Sequence, residues 1–462
     1  MTTEMIENRI FAEIAVGESA TLSRIVTQRD IELFAVVSGD VNPAHLDPAY
    51  AATDMFHKVV AHGMLGASLI STVLGTVLPG PGTIYLGQEL RFLRPVGIGD
   101  SVTATLTVSA KDPAKGGLTL DCRCVNQRGE AVIEGVARVR APTEKICLPR
   151  IELPEVMLNR HERFRTLLAD AAGRPPLSVA VAYPCNAAAL TPVVEGAAAG
   201  LLAPILVGPA GLIREAAVAA KIDIASYRLV DVSTPAAAAE RAVQLVRDGE
   251  AAALMKGSLH TDVLLGAVLA PDSGLRTGRR LSHVYIMDVP TYPRPLLVTD
   301  AAVNIAPDLE QKRDIVQNAI DLARAMGVEE PRAAILSAVE TVNPKLRSTL
   351  DAAALCKMAD RGQISGGLVD GPLAFDNAVS PAAAAEKGIV SAVAGQADIL
   401  VAPDLEAGNM LAKQLSFLAG ADAAGVVMGA KVPIILTSRA DSQRTRLASC
   451  AVAALLAAKS GA

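Results

Sequence analysis

Beyond residue 160, short β-rich runs alternate with Ala-rich helical runs, and that alternation constrains the fold more than any single motif. The strand candidates are Leu177–Ala182, Pro204–Val207, Ala252–Met255, Ser282–Met287, Leu296–Thr299, Ala333–Leu336, Gly367–Val369, Ile399–Val401 and Pro433–Leu436. Strands separated by helices of about 10–20 residues predict a mostly parallel α/β sheet. Such a sheet takes its ligands beyond the C-terminal ends of its strands. The chain before residue 142 reads differently. A helix-like run over Gly63–Leu78 precedes four β segments, Thr83–Phe92, Ser101–Ala110, Leu118–Asn126 and Ala131–Arg140. In Ser101–Val108, Val and Leu take one face and Thr the other, the period of a half-buried strand. Breaks at Lys115-Gly116-Gly117 and Gln127-Arg128-Gly129 predict hairpins. One helix wrapped by an antiparallel sheet is the economical packing of that set. Pro142, Pro149 and Pro154, with charged residues between them, predict a linker. The expected division is a domain at 1–142, a linker at 143–160 and a domain at 161–462.

A chain of 462 residues exceeds one ordinary core. Hydrophobic residues make up 51% but aromatics only 3%, so the cores must be built from Ala, Val, Leu and Ile. The most apolar stretch, 187–212, is broken by Pro192, Glu195, Gly200, Pro204 and Pro209 and does not read as a bilayer helix. A net charge of −5 argues against a nucleic-acid partner. Glu4, Glu7 and Glu13 stand where a secretory signal would carry basic and apolar regions, so a cytoplasmic protein is expected. Six cysteines without a CxxC pair predict neither a disulfide framework nor a zinc site. Cys122 and Cys124 share one face of a strand and read as packing residues.

The stretch Asp40-Val41-Asn42-Pro43-Ala44-His45-Leu46-Asp47 sets a carboxylate and an imidazole on one turn. Ser38 and Gly39 end a helix-like segment before it, and Ala61-His62-Gly63-Met64 opens an apolar segment after it. An Asp and a His beside a backbone N–H at a helix start can move protons around a polarised carbonyl. Asp, Asn and Pro are also ordinary turn formers.

The run from Ser38 to His62, with Gly82–Gln88 and Arg94–Asp100, resembles the MaoC-like (R)-specific enoyl-CoA hydratases across roughly residues 10–142. The resemblance implies an α+β hotdog fold, an antiparallel sheet around a central helix. It assigns Asp40 and His45 to the water and proton steps and the Gly63 N–H to the developing enolate oxygen. Asn42 would shape the loop. Ser71 matches a site hydroxyl, or is an ordinary helix-interface hydroxyl. His62 reads as a helix cap, and Asp47 and His57 receive no role.

In the second half, four strands end in turns rich in Gly, Ser and Asp: Lys256–Asp262, Asp370–Ala378, Pro403–Asn409 and Thr437–Ser442. Open backbone amides at such turns, with a nearby cation, make a phosphate site. Lys256-Gly257-Ser258 lacks the upstream glycine of a P-loop, and no GxGxxG follows the first strand, so neither ATP nor a nicotinamide cofactor is expected. Together the turns resemble the phosphate acetyltransferase and phosphate butyryltransferase family from about Pro175 to Leu455. That resemblance implies an α/β domain of two subdomains with a cleft, exchanging an acyl group between coenzyme A and inorganic phosphate without a cofactor or metal.

By the same resemblance Ser438 and Arg439 belong at the reacting centre. Arg439 would hold phosphate oxygens through its planar fork of donors, and Ser438 would hydrogen-bond the thioester or the attacking sulfur. Acetyltransferases of the family carry an Asp seven places after the serine; here that position is Thr445, which leaves Asp441 as the candidate base. The Ser-Arg-Ala-Asp wording is closer to the butyryl branch. Lys256, Ser258, Arg276, Arg280, Asp370, Asp376 and Asn409 are the candidate substrate-binding residues. Arg276, Arg279 and Arg280 read equally as a solvated basic loop, His283 reads as structural, and His161, in a polar helical run, needs no role. The expected partners are acyl-CoA, CoA, phosphate and acyl phosphate, and both resemblances imply homo-oligomers. The best account is a bifunctional enzyme; the alternative gives catalysis to one half and acyl-CoA binding or assembly to the other. A metal-dependent dehydrogenase would need clustered ligands and a nucleotide loop, and neither is evident.

Overall fold

The computed structural model describes residues 4–158, 161–436 and 442–460. The chain divides into two compact units, Met1–Leu158 and Asn159–Ala462.

In the first unit, strands β2 (Ser19–Ile25), β4 (Ser101–Asp112), β5 (Gly117–Val125), β6 (Ala131–Arg140) and β3 (Ile84–Phe92) form one antiparallel sheet in the order β2-β4-β5-β6-β3. Four α-helices accompany it: α1 (Gln28–Ser38), α2 (Pro43–Leu46), α3 (Pro48–Thr53) and α4 (Gly63–Thr76). The alternation read from the sequence holds. Val102, Ala104, Leu106 and Val108 are buried, and they meet Leu69, Ile70, Val73 and Leu74 of α4 in one core. Cys122 and Cys124 lie in that core as free thiols. This is the hotdog arrangement.

The expected linker begins as part of this unit. Strand β7 (Cys147–Pro149) pairs antiparallel with β1 (Met5–Glu7). The buried Asn8 side chain donates to Glu144 O at 2.7 Å and accepts from Ile146 N at 3.0 Å. Prolines mark the segment, yet its polar backbone finds a strand edge to pair with.

The second unit is built on an 11-stranded sheet. Its strands are β8 (Leu177–Ala182), β9 (Leu202–Gly208), β10 (Arg228–Asp231), β11 (Ala253–Lys256), β12 (Ser282–Asp288), β13 (Leu296–Thr299), β14 (Arg332–Leu336), β15 (Leu368–Leu373), β16 (Ile399–Val401), β17 (Asp422–Met428) and β18 (Ile434–Ile435). They follow the order β10-β9-β8-β11-β18-β17-β12-β13-β16-β14-β15. The strands from β10 to β18 are mutually parallel, as are those from β13 to β15. Between the two sets, β17 and β12 pair antiparallel to their neighbours, so the parallel halves run in opposite directions. The halves are the two subdomains.

One expected turn is a strand. Asp370-Gly371-Pro372-Leu373 completes β15, with a register shift against Ala334 and Leu336 of β14. A Cβ on Gly371 would lie 2.7 Å from Ile335 O, so this glycine permits a close strand approach. The turn begins only at Ala374. Among the described residues no helix is long and apolar enough to cross a membrane.

Gly135 tests the first sheet. An added Cβ would sit 1.9 Å from the Glu89 carbonyl oxygen on β3. Gly135→Ala is expected to destabilise the first unit by about 1–3 kcal/mol through overpacking. Denaturant unfolding of the unit measures it.

Candidate active sites

The first site is assembled where α1 ends and α4 begins. Gly39, at φ 74°, ends α1 in the left-handed region and turns the chain into Asp40. The Asp40 carboxylate accepts from Asn42 N at 3.1 Å, and Asn42 Oδ1 accepts from Ala44 N at 3.1 Å, capping α2. Asn42 thus fixes the start of α2. His45, half-buried on α2, directs Nδ1 at Val60 O, 2.7 Å away. A carbonyl can only accept, so Nδ1 carries a proton, and in the neutral ring the lone pair falls on Nε2. That is the state a general base requires.

His62 lies against this pair. It occupies the N-cap position of α4 without making a side-chain cap bond, which corrects the capping expectation. Its Nε2 is 3.1 Å from Asp40 O, and its ring centroid is 3.9 Å from that of His45. With no cap in place, Gly63 N–H has no protein acceptor among the described residues. A Cβ on Gly63 would come within 3.0 Å of the Phe92 ring, so the glycine keeps room beside that donor. His45, His62, Gly63 and Phe92 line one cavity of about 300 Å³. Ser71 does not join them. It is exposed and lines a neighbouring cavity with Phe34, Met64, Tyr85 and Gln88.

One ligand atom from each of Asp40, His45 and His62 falls within 4.8 Å of the others, so this set could hold a metal ion. In the present arrangement Nε2 of His62 donates to Asp40 O, which leaves its Nδ1 as the nitrogen that could act as a ligand.

In the second unit the candidates fall into separate groups. Lys256 closes β11, and its Nζ rests on the carbonyls of Gly257 at 3.3 Å and Leu259 at 3.2 Å. The Ser258 hydroxyl is engaged locally, donating to Tyr183 O at 2.8 Å and accepting from Cys185 N at 3.2 Å. Tyr183 itself is held at φ 59°, an uncommon conformation for a side chain of that size. Gly257 packs on that turn, since a Cβ there would meet Ala182 O at 2.4 Å. This strained turn gave no signal in the sequence.

A second group surrounds Asp300. Its buried carboxylate accepts from Ala302 N, Val303 N and Asn304 N at 3.0–3.1 Å. Asn304 Oδ1 then accepts from Arg280 Nε at 2.8 Å, and Asn318 Nδ2 donates to Arg280 O at 2.9 Å. Asn409 donates to Ala301 O at 3.0 Å in the same shelf. Arg280 and Asn409 thus belong together, whereas Arg276 is exposed and bridges by its backbone to Ala430. Asp404 caps its helix by accepting from Ala407 N at 2.9 Å.

Asp370 accepts from Gly371 N at 2.8 Å, and the exposed Asp376 lies 3.8 Å from Lys387 Nζ. The Lys256 and Asp404 turns leave opposite edges of the sheet, after strands five places apart, or about 24 Å at ~4.8 Å per strand. They do not form one phosphate cradle. Ser438, Arg439 and Asp441 lie outside the described residues. The chain reaches them from Leu436, one residue past the Met255–Ile435 pair and therefore beside Lys256.

Residues 13–119 match the MaoC like domain, and residues 232–454 match the family described as phosphate acetyl/butaryl transferase. The phosphate acetyltransferase of Rhizobium meliloti is 60% identical over 297 residues, covering 64% of this chain and 94% of that protein. The chain belongs to the phosphate acetyl/butyryl transferase family. It carries a MaoC-like domain ahead of the transferase part. The phosphate butyryltransferase of Clostridium beijerinckii is 42% identical over 298 residues, covering 64% of this chain and 99% of its own length. A branched-chain phosphotransacylase from Enterococcus faecalis V583 superposes with a TM-score of 0.55 at 32% identity, over 61% of this chain and 99% of that one.

Within this family member, Thr445 belongs to a helix start. Its N–H donates to Ser442 Oγ at 3.1 Å, and its hydroxyl lies 3.0 Å from the same atom. The helix Gln443–Ser460 is anchored by Arg446, whose guanidinium forks onto Glu195 at 2.8–3.0 Å. His161, expected to have no role, pairs with Asp422.

His283 is buried with Nδ1 unpartnered, and burial pushes its pKa down to about 4, against the opposing charge of Asp300. Unfolded, it titrates near ~6.5. The unfolded state therefore binds the extra proton first, and stability falls as pH drops from about 6.5 toward about 4. The acid loss of stability in the second unit is expected to be shallower in His283→Asn, as read from denaturant midpoints across that window.

Proposed function

We propose that this chain handles acyl-CoA thioesters in both units. The first hydrates trans-2-enoyl-CoA to (R)-3-hydroxyacyl-CoA, and the second exchanges an acyl group between CoA and inorganic phosphate. The observation that carries the first assignment is that His45 and Gly63, whose N–H has no protein acceptor among the described residues, line one cavity, with a carboxylate oxygen of Asp40 within 4.8 Å of a His45 ring nitrogen. A water between Asp40 and His45 would add its oxygen to the β-carbon and lose a proton to His45, while a proton returned through Asp40 reaches the α-carbon. The negative charge that develops on the thioester oxygen meets Gly63 N–H at the positive end of α4. A donor of that kind contributes about 2.7–4 kcal/mol in well-studied cases. The (R) outcome rests on resemblance to the MaoC-like hydratases.

Family membership supports the second assignment. The thiolate of CoA attacks the acyl phosphate carbonyl and phosphate leaves, or the reverse. Arg439 would hold the phosphoryl oxygens, with Ser438 at the sulfur and Asp441 as the candidate base. Thr445 is a hydroxyl engaged in a helix start and offers no basic group. Neither reaction calls for a cofactor or metal. CoA thioesters and phosphate as substrates support a cytoplasmic setting. Exposed Val36, Val37, Met64, Tyr85 and Leu86 give the first unit an apolar surface suited to pairing with a second copy.

One preparation tests both assignments. The intact protein is expected to consume crotonyl-CoA with no cofactor, and to release CoA from acetyl- or butyryl-CoA only when phosphate is present. Asp40→Asn is expected to lose about 10²–10⁴-fold in hydration and to keep the transfer. Arg439→Ala is expected to do the opposite. No phosphate-dependent release at any acyl length would remove the transfer assignment, and undiminished hydration in Asp40→Asn would remove the other. Loss of only one activity in the unsubstituted protein would favour the reading in which a single half is catalytic.

A further inference from the structure

We propose that His62 is the positioning residue of the first site: one buried side chain that sets the Asp40 loop and the His45 ring in register. This inference rests on the hydration reading above.

Four elements meet at this side chain. Its ring lies 5.1 Å from Phe34 on α1 and 3.9 Å from His45 on α2, centroid to centroid, tilted by 46° and 37°. Its Nε2–H donates to the Asp40 main-chain oxygen at 3.1 Å. Its own backbone leads directly into Gly63 and α4. Asp40 and His45 are otherwise placed by bonds internal to their own turns or to Val60.

Packing alone does not explain a histidine here. The residue is 3% exposed and its Nδ1 has no partner among the described residues. A buried polar atom without a partner opposes folding, and an apolar side chain of similar size would fill the space without it. What an apolar residue cannot supply is the N–H to Asp40 O.

The test uses the full chain and three variants. His62→Phe keeps a ring against His45 and removes the donor. His62→Gln restores an N–H near the Nε2 position without the ring, and His62→Ala removes both. Crotonyl-CoA hydration by His62→Phe is expected to fall about tenfold to a hundredfold in kcat, with KM moving less than about threefold. His62→Gln is expected to recover part of that loss, and His62→Ala none of it. A purely structural role predicts instead that loss of activity follows loss of folded protein, with no recovery in Gln over Ala. Thermal unfolding of each variant separates the two, and the Gln-to-Ala comparison decides if the Phe variant does not fold. An unchanged kcat in His62→Phe, or equal losses in Gln and Ala, overturns the positioning role alone. No hydration by the unsubstituted chain overturns the hydration reading, and this inference with it.

Discussion

Backbone N–H groups at a helix start have no partner within the helix, and how the chain satisfies them decides where this protein can do chemistry. In the first unit, α1, α2 and α3 are capped by the side chains of Thr27, Asn42 and Asp47. α4 is the exception among the four. Its N-cap residue turns its ring away to Asp40 and His45, and its first donors are left for something else. The sheet makes this tolerable by closing around the helix. Ile133 approaches so near that a Cβ on Gly66 would lie 2.8 Å from its Cδ1, and Phe92 covers Gly63 in the same way. Small residues at these two positions bring an apolar wall up to an open helix end. In such a setting a hydrogen bond to a developing negative charge is worth more than it would be in water.

In the second unit the comparable constraint is the reversal of the sheet. Because β12 and β17 run against their neighbours, the two parallel halves present their C-terminal ends in opposite directions. Each half then builds its own strand-end turn with its own means of satisfying amides. The Lys256 turn uses the Tyr183 carbonyl and the Ser258 hydroxyl. The other half uses Asp300, which takes up three successive backbone N–H groups and thereby fixes Asn304 under Arg280. A guanidinium held at Nε by a side chain that is itself held keeps its outer nitrogens aimed, and it loses less freedom when an anion arrives.

Much of this was legible in the sequence where a side chain's chemistry and the local period agree. The Val/Thr alternation of Ser101–Val108 gives β4 its buried face directly, and the loop geometry around Asp40, Asn42 and His45 follows from residues close in sequence. Less legible were features decided by distant partners. β17 is read poorly because Asp422-Ala423-Ala424-Gly425 lacks the β-branched residues of a strand. It is one because β12 and β18 flank it, and because Gly425 leaves room for His283, whose ring would lie 2.9 Å from a Cβ. Asp370-Gly371-Pro372 carries turn residues but continues β15, since the glycine serves close packing against Ile335. The candidate phosphate residues were chosen from turn composition, which cannot show that two turns leave opposite edges of a sheet. His62 reads as a cap from its place before Gly63, and only its contacts reveal another use.

Thiol chemistry adds a last constraint on a protein proposed to handle thioesters. A cysteine thiolate near an activated acyl group attacks it, and the acyl chain is then lost to the wrong nucleophile. This chain carries six free cysteines and disfavours the thiolate in each. Burial pushes Cys124, Cys356 and Cys450 up to about 12 and Cys185 up to about 11, and it raises Cys122 as well. Cys147 is exposed, so burial cannot protect it. Its thiol instead donates to Glu7 Oε1 at 3.4 Å, and the adjacent carboxylate opposes a second negative charge. The same physical requirement, keeping sulfur protonated at neutral pH, is met by full or partial burial in five cases and in the sixth by the hydrogen bond to Glu7, with its charge alongside.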